Sequence, residues 1–272
     1  MDLEHARMVA IEAAEAAGEL LLQGTRETLD IRAKGSTGDV VTALDLASER
    51  LLLDRILTAF PTHSVLAEES GLVGAPGGEW TWLIDPLDGT NNVAIGMPLY
   101  AIGLALCHRG RPVLGVVHDP VMSRTWSAIR SRGAHGPAGV RLAPAPRSTP
   151  YGPVVAWIQG YAVTKDDSLA LDIKSRLDHQ ARRVLRLWAP LLGWAMLARG
   201  DIDGVVGYQT GVIDLPAGAI LAQEAGLEIR ALDGGPYDED IDGPDESRSF
   251  VCAHPATIDS LFALLGPSAP EA

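Results

Sequence analysis

The run Trp80-Thr-Trp-Leu-Ile-Asp-Pro-Leu-Asp-Gly-Thr-Asn-Asn92 constrains this chain more than any other stretch. Trp82-Leu83-Ile84 reads as an apolar strand that ends in Asp85 and Asp88, with Pro86 and Gly89 forcing a tight turn around them. Two carboxylates this close at a strand end concentrate negative charge that an extended chain would separate. A cation shared between them relieves that cost, and hard oxygen donors suit Mg²⁺ or Mn²⁺. Gly89-Thr90-Asn91-Asn92 reads as a helix start whose N–H groups face the same point, so cation and helix terminus together suit a phosphate group. The alternative is an Asp-rich turn that only caps a helix.

Periodicity around this run predicts alternating helices and strands. Apolar positions at helical spacing cover residues 3–24 and end at Gly24; an extended piece over Leu29–Ala33 leads into the polar loop Lys34–Asp39. Val40–Thr42 precedes a helix over Ala43–Phe60, stopped by Pro61, and Ser64–Ala67 is a short strand ending in Glu68-Glu69-Ser70-Gly71. Tyr100–His108, Pro112–His118 and Thr125–Ile129 read as strands joined in antiparallel hairpins. The Gly- and Pro-rich stretch 134–153 marks a boundary between an N-terminal half, 1–145, and a C-terminal half, 146–272. The second half alternates strands (Val154–Gln159, Val184–Leu187, Gly204–Gly207, Leu227–Ala231, Phe250–Ala253) with helices (Ser168–His179, Leu191–Arg199, Pro216–Ala225, Ala256–Leu265). Such alternation predicts an α/β protein with mixed sheets.

Composition excludes several functions. The net charge of −13, with Lys34, Lys165 and Lys174 the only lysines, argues against a nucleic-acid polymer as partner. No apolar run approaches the roughly 20 residues of a membrane span. Acids at Asp2, Glu4, Glu12, Glu15 and Glu19 interrupt any leader-like pattern, so the expectation is a soluble cytoplasmic protein without a membrane partner. Cys107 and Cys252 sit in apolar strands and read as buried thiols; His63, His108 and His118 lack metal-ligand spacing and read as structural.

Four acidic positions stand out: Asp45 at the start of a helix, Glu68-Glu69 at a strand end, the Asp85–Asp88 pair, and Asp214 in Gly-Val-Ile-Asp-Leu-Pro-Ala-Gly218. Carboxylates from separate strand ends converge readily at one edge of a sheet, where α/β proteins place their sites. Any one of them alone is equally a solvated acid or a helix cap.

The segments Asp39-Val-Val-Thr-Ala-Leu-Asp45, Leu66-Ala-Glu-Glu-Ser70, Trp82 through Asn92, Ile213-Asp-Leu-Pro-Ala-Gly218 and Glu224-Ala-Gly226 together resemble the inositol monophosphatase family of Mg²⁺-dependent, lithium-sensitive phosphatases. The resemblance implies a layered αβαβα sugar-phosphatase fold, a homodimer, and hydrolysis of a small phosphorylated metabolite by metal-activated water. It implies that Glu68, Asp85 and the Leu87 carbonyl hold one Mg²⁺, that Asp85, Asp88 and Asp214 hold a second, and that Glu68 with water holds a weaker third. Thr90, aided by Asp45, would orient and deprotonate the attacking water, with Glu68 a further member of the catalytic set. Gly89, Thr90 and Asn91 would meet the phosphate end of the substrate, and Glu69 would sit behind the metal ligands.

The match departs on the substrate side. Trp188-Ala189-Pro190 stands where the family has a Gly-Ser/Thr-Ala turn, Ile213 where it usually has Trp, and Gly207–Gly211 lacks an acid for an inositol hydroxyl. Trp188 and Tyr208, and less so Trp194, are therefore candidates to line a pocket for a ring-bearing substrate. Histidinol phosphate, fructose 1,6-bisphosphate, a 3′-phosphoadenosine phosphate or a nucleoside monophosphate are alternatives to inositol phosphate. A non-catalytic phosphometabolite-binding or regulatory protein is the alternative of another class.

Overall fold

The computed structural model describes residues 1–25, 31–34, 39–75, 77–147 and 150–266. Helices α1 (Leu3–Gly24) and α2 (Ala43–Ala59) flank a short antiparallel hairpin of β1 (Ile31–Lys34) and β2 (Asp39–Thr42). Next come β3 (Ser64–Ala67), β4 (Gly71–Gly74), β5 (Trp80–Asp88), the short α3 (Thr90–Ala94), β6 (Ala101–His108), β7 (Arg111–Asp119), β8 (Arg124–Ile129), β9 (Gly133–His135) and β10 (Arg141–Leu142). The remainder runs β11 (Val154–Gln159), α4 (Ser168–Gln180), β12 (Arg183–Leu185), α5 (Pro190–Arg199), β13 (Gly204–Tyr208), α6 (Pro216–Glu224), β14 (Glu228–Ala231), β15 (Phe250–Ala253) and α7 (Ile258–Leu265).

Strands β10-β9-β8-β7-β6-β5-β3-β4 form an eight-stranded sheet in that order, antiparallel except where β3 runs parallel to β5. A five-stranded sheet has the order β12-β11-β13-β15-β14, with β11 parallel to both β12 and β13. Both sheets are mixed, as the alternation predicts.

Strand periodicity stacks these sheets into layers. In β5 and β6, Trp82, Ile84, Ile102, Leu104 and Leu106 face α1 and α2, where Ala6, Ala10, Ala13, Ala14 and Ala17 let the α1 backbone approach closely. The intervening Leu83, Ala101, Ala105 and Cys107 face α5 and α6 through Leu191, Ala195, Ala217 and Leu221. Those two helices turn their other face, Trp194, Leu197, Ala219 and Ala222, onto Ile158, Val205 and Phe250 of the five-stranded sheet. Val155, Val206 and Val251 on its far side pack against Ile173 and Leu177 of α4 and Ile258 and Leu261 of α7. Helices, sheet, helices, sheet, helices is the expected αβαβα order. Each sheet is covered on both faces, which is why its central strands carry continuous apolar runs.

Several boundaries differ from the periodicity. Gly71-Leu-Val-Gly74 pairs with β3 as β4, and two strands, β9 and β10, lie around the Gly- and Pro-rich stretch. Such short Gly-bounded pieces become strands by hydrogen bonding to a neighbour, which their own pattern does not encode. β12 and α7 are shorter than expected, and residues 26–30 and 35–38, part of the expected N-terminal strand and loop, lie outside the described residues. Among the described residues no helix is long and apolar enough to cross a membrane.

The contact of α6 with the eight-stranded sheet needs a glycine. A Cβ at Gly115 of β7 would lie 2.5 Å from Ile220 Cγ2 and 2.6 Å from the Ala217 carbonyl oxygen, and the backbone cannot yield as a side chain can. At Gly193 in α5 a Cβ meets only Ala156 Cβ, at 3.4 Å. Gly115→Ala should therefore destabilise the fold by roughly 1–3 kcal/mol, whereas Gly193→Ala should be neutral or stabilising by up to about 1 kcal/mol. Urea unfolding of both variants decides this, and equal effects would reject the close α6 approach.

Candidate active site

The parallel pair β3–β5 ends at one edge of the eight-stranded sheet, and that edge collects the acids. Glu68 follows β3, Asp85 and Asp88 end β5, and Asp214 immediately precedes α6. Between Asp85 and Asp88 the register with β6 shifts, a bulge that re-aims both side chains. Gly89 then turns the chain with φ +108°, and a Cβ there would lie 2.9 Å from the Leu99 carbonyl oxygen, so only glycine fits.

Asp85 and Asp88 are 2 % and 5 % exposed. Burial, with the charges of Glu68, Asp88 and Asp214, pushes the Asp85 carboxyl well above its ordinary range. Asp88 is pushed up by burial and by Asp214 and Glu68, partly opposed by the Leu191 N–H. The four carboxylates thus sense one another electrostatically. Among the described residues no three acidic, His or Cys side chains close to metal-ligation spacing. Like charges repel, and backbone donors hold the pair instead. Leu87 N–H donates to Asp85 Oδ1 at 3.1 Å, and Leu191 N–H, in the first turn of α5, donates to Asp88 Oδ2 at 2.7 Å. The donor set consists of hard carboxylate and carbonyl oxygens around a buried negative site, which fits Mg²⁺ or Mn²⁺ and disfavours soft metals.

Asp45 is anchored from both sides. It is the third residue of the capping box of α2, and its Oδ2 accepts from Thr42 N–H at 2.8 Å and Thr42 Oγ1 at 2.6 Å. Its Oδ1 faces Thr90, whose hydroxyl lies 2.7 Å away and 3.0 Å from the Leu87 carbonyl oxygen. Burial raises the Asp45 carboxyl, while hydrogen bonds from Thr42 and Thr90 pull it back. The Thr90 hydroxyl, with one proton to give, thus sits between two acceptors from distant segments, the Asp45 carboxylate and the Leu87 carbonyl.

Three supporting residues escaped the sequence reading. Glu49 is buried, and its carboxylate accepts from Glu69 N–H at 2.7 Å and from the Ser70 hydroxyl, holding the turn that carries Glu68 and Glu69. Ser48 Oγ donates to the Pro86 carbonyl at 2.8 Å. Asn92 Nδ2 donates to the Leu99 and Leu187 carbonyls, each at 2.7 Å, tying α3 to the segment before α5. Ser48 and Glu49 were findable, since with Asp45 they share one helical face at spacings of three and four. Nothing near Asn92 in sequence announces a partner 95 residues away.

On the substrate side the structure separates the aromatic candidates. Trp188 is 60 % exposed and sits three residues before Leu191. Tyr208 is buried at 6 % exposure; its ring stacks on Trp157, and its hydroxyl donates to Asp167 at 3.2 Å. Alternation in β13 puts Tyr208 on the same face as Val206, toward α4, away from the α5–α6 face. Trp194 is fully buried and stacks on Phe250 at 5.3 Å between centroids, a core residue. His63 accepts a hydrogen bond from Trp82 Nε1 at 3.1 Å, and both cysteines are buried and free. Glu224 receives the Ser131 and Gly133 N–H groups, so it braces the β8–β9 turn.

The raised carboxyls have a consequence for stability. A group that binds protons more tightly in the folded than the unfolded state stabilises fully below the ordinary aspartate pKa of 3.8 and loses that contribution as pH rises through its raised value. In EDTA, thermal stability should fall as pH rises above the ordinary aspartate range, and Mg²⁺ should restore more of it at the higher pH. Asp85→Asn should stabilise the metal-free protein by on the order of 1 kcal/mol, seen as a higher midpoint, by removing a repelling charge. A pH-independent midpoint with no gain in the variant would rule out the strained acidic site.

Comparison with known proteins gives a consistent answer. The chain is 34 % identical over 224 residues to the Nus factor SuhB of Pseudomonas aeruginosa, covering 80 % of this chain and 82 % of that protein. Its fold matches an inositol monophosphatase structure from Anabaena (Nostoc) with a TM-score of 0.81 at 28 % identity, covering 97 % and 96 % of the two chains. It matches the extragenic suppressor protein SuhB of Bartonella henselae with a TM-score of 0.87 at 24 % identity, covering 97 % of this chain and all of that one. The family signature itself extends over residues 2–264, and with the acidic edge and the five-layer stack it establishes that this chain belongs to the Inositol monophosphatase family.

Proposed function

We propose that the protein is a metal-dependent phosphomonoesterase that hydrolyses a small phosphorylated alcohol by direct attack of water. The observation that carries this reading is the Thr90 hydroxyl held against the buried Asp45 carboxylate, set beside four carboxylates that raise one another's affinity for positive charge. Family membership supports it, as does the presence of Glu68, Asp85, Asp88, Thr90 and Asp214 together.

In this reading Glu68, Asp85 and the Leu87 carbonyl hold one divalent ion, and Asp85, Asp88 and Asp214 hold another, with Glu68 and water serving a third. Bound there, Mg²⁺ or Mn²⁺ supplies charge neutralisation of the phosphate and acidifies water. Thr90 donates its proton to Asp45, which leaves its oxygen lone pairs to accept a hydrogen bond from the attacking water and fix its direction. Asp45 is the acceptor at the end of this relay, and its anchoring to Thr42 keeps that acceptor in place. The Gly89 and Thr90 amides and the Asn91 side chain meet the phosphate oxygens. Glu69 acts behind them, through the Glu49 carboxylate that holds its turn. No side chain is needed as a covalent nucleophile.

A second reading rests on the Pseudomonas aeruginosa relative, which is named as a Nus factor and not as an enzyme. That name favours a regulatory role for the fold in place of hydrolysis. The two readings separate on one measurement, Mg²⁺-stimulated phosphate release from a broad panel of phosphomonoesters.

Thr90→Ala should lower kcat by roughly 10²-fold or more, and Thr90→Ser should keep most of it, because only the hydroxyl is required. Asp85→Asn should abolish turnover while the protein stays folded, and millimolar Li⁺ should inhibit the wild type. Steady-state phosphate release checks all three. Near-normal turnover by Asp85→Asn, or absence of Mg²⁺-dependent release from every ester, would leave the regulatory reading.

A further inference from the structure

We propose that Trp188 and Tyr161 form an aromatic clamp at the mouth of the acidic site, and that the preferred substrate is a phosphomonoester whose alcohol carries a planar aromatic ring. This deepens the phosphomonoesterase reading and rests on it for the chemistry, though not for the binding of the ring.

Two backbone contacts place Trp188. The Leu187 carbonyl just before it accepts from Asn92, beside the start of α3, and the Leu191 N–H after it donates to Asp88. Three peptide units span at most about 11 Å, so the Trp188 backbone lies within that distance of Leu191, whose N–H holds Asp88. Among the described residues Trp188 is the one exposed tryptophan, the other five being buried or half-buried. Its φ of +53° is the left-handed region, which a bulky residue occupies at a cost. An exposed, strained indole beside a site is poorly explained by packing. Pro190 starts α5 and stiffens the segment from the other end.

Tyr161 meets α3 at the neighbouring residue, Asn91. Its hydroxyl accepts from Asn91 Nδ2 at 3.1 Å, next in sequence to the Asn92 that holds Leu187, and its ring is 49 % exposed. The adjacent Asn91 and Asn92 therefore tether one aromatic residue and the segment bearing another. Ile95 and Met97, exposed just beyond α3, extend the apolar rim.

The Trp188 side of this rim offers a polyol little. Trp188-Ala189-Pro190 offers no side-chain hydroxyl, and Pro190 offers no N–H, so a hydroxyl-rich alcohol finds few partners. A planar ring gains contact with aromatic faces on both sides.

The test compares kcat/KM with Mg²⁺ for 2-phenylethyl phosphate, its saturated counterpart 2-cyclohexylethyl phosphate, and glycerol 2-phosphate, whose leaving groups are all alkyl alcohols. Wild-type protein should prefer the phenyl ester over the cyclohexyl ester by about tenfold, the scale of one stacking contact. W188L should erase that ratio, chiefly through KM, and W188F should retain most of it. A wild-type ratio near one, or a ratio unchanged in W188L, overturns the clamp. In parallel, 2-phenylethylphosphonate, which cannot be hydrolysed, should change tryptophan emission in the wild type but not in W188L. If no ester is hydrolysed yet this emission change occurs and is lost in W188L, the phosphatase reading falls while the aromatic site stands. No emission change rejects the site whatever the activity.

Discussion

The repulsion among Glu68, Asp85, Asp88 and Asp214 is the constraint around which this molecule is organised. Burying carboxylates side by side costs free energy that only a cation or a proton offsets, and both aspartates of the β5 end are nearly sealed from water. A fold whose sole requirement was stability would fill that edge with apolar side chains. Two backbone N–H groups and a bulge hold the acids in place, and the surrounding layers must be rigid enough to resist their separation.

That rigidity comes from packing on both sides of the eight-stranded sheet. Helix α2 brings Asp45, Ser48 and Glu49 to the edge on one face, and these three brace Thr90, the Pro86 carbonyl and the Glu68–Ser70 turn. Helices α5 and α6 arrive on the other face, one delivering the N–H that holds Asp88 and the other beginning beside Asp214. The glycine at position 115 of β7 lets α6 lie directly on the sheet. The candidate site is therefore a product of layer packing, with each wall anchored in a different layer.

The same architecture separates the acidic edge from the segments proposed to meet the alcohol group. Oxygen donors for a divalent ion must come from strand ends and capped helix termini, where direction is controlled. In the proposed reading, recognition of the alcohol group falls to the segment before α5 and the turn after β11, which meet α3 at Asn92 and Asn91. Trp188 and Tyr161 stand in those segments.

Much of this was legible in the chain itself. Alternating apolar runs were enough for the α/β class, and the Asp85–Asp88 turn with its glycine at the end of an apolar strand pointed to the acidic edge. What periodicity alone missed is informative. β4 and β9 exist through hydrogen bonds to neighbours, so their own residues carry little signal. Tyr208 looked available for substrate, and only the pairing of β13 between β11 and β15 decides which face it occupies. Glu49 was within reach of helical spacing from Asp45, but Asn92 and Tyr161 were not, since their partners are 95 and 70 residues distant. The sequence by itself determined which residues carry charge, which strands are buried and where the chain must turn, because those are local properties of side chain and backbone. Tertiary structure alone decided which acids share an edge, which aromatic residues are left in solvent and which backbone donors hold the aspartates, because contacts between distant segments are settled only when the layers close on one another.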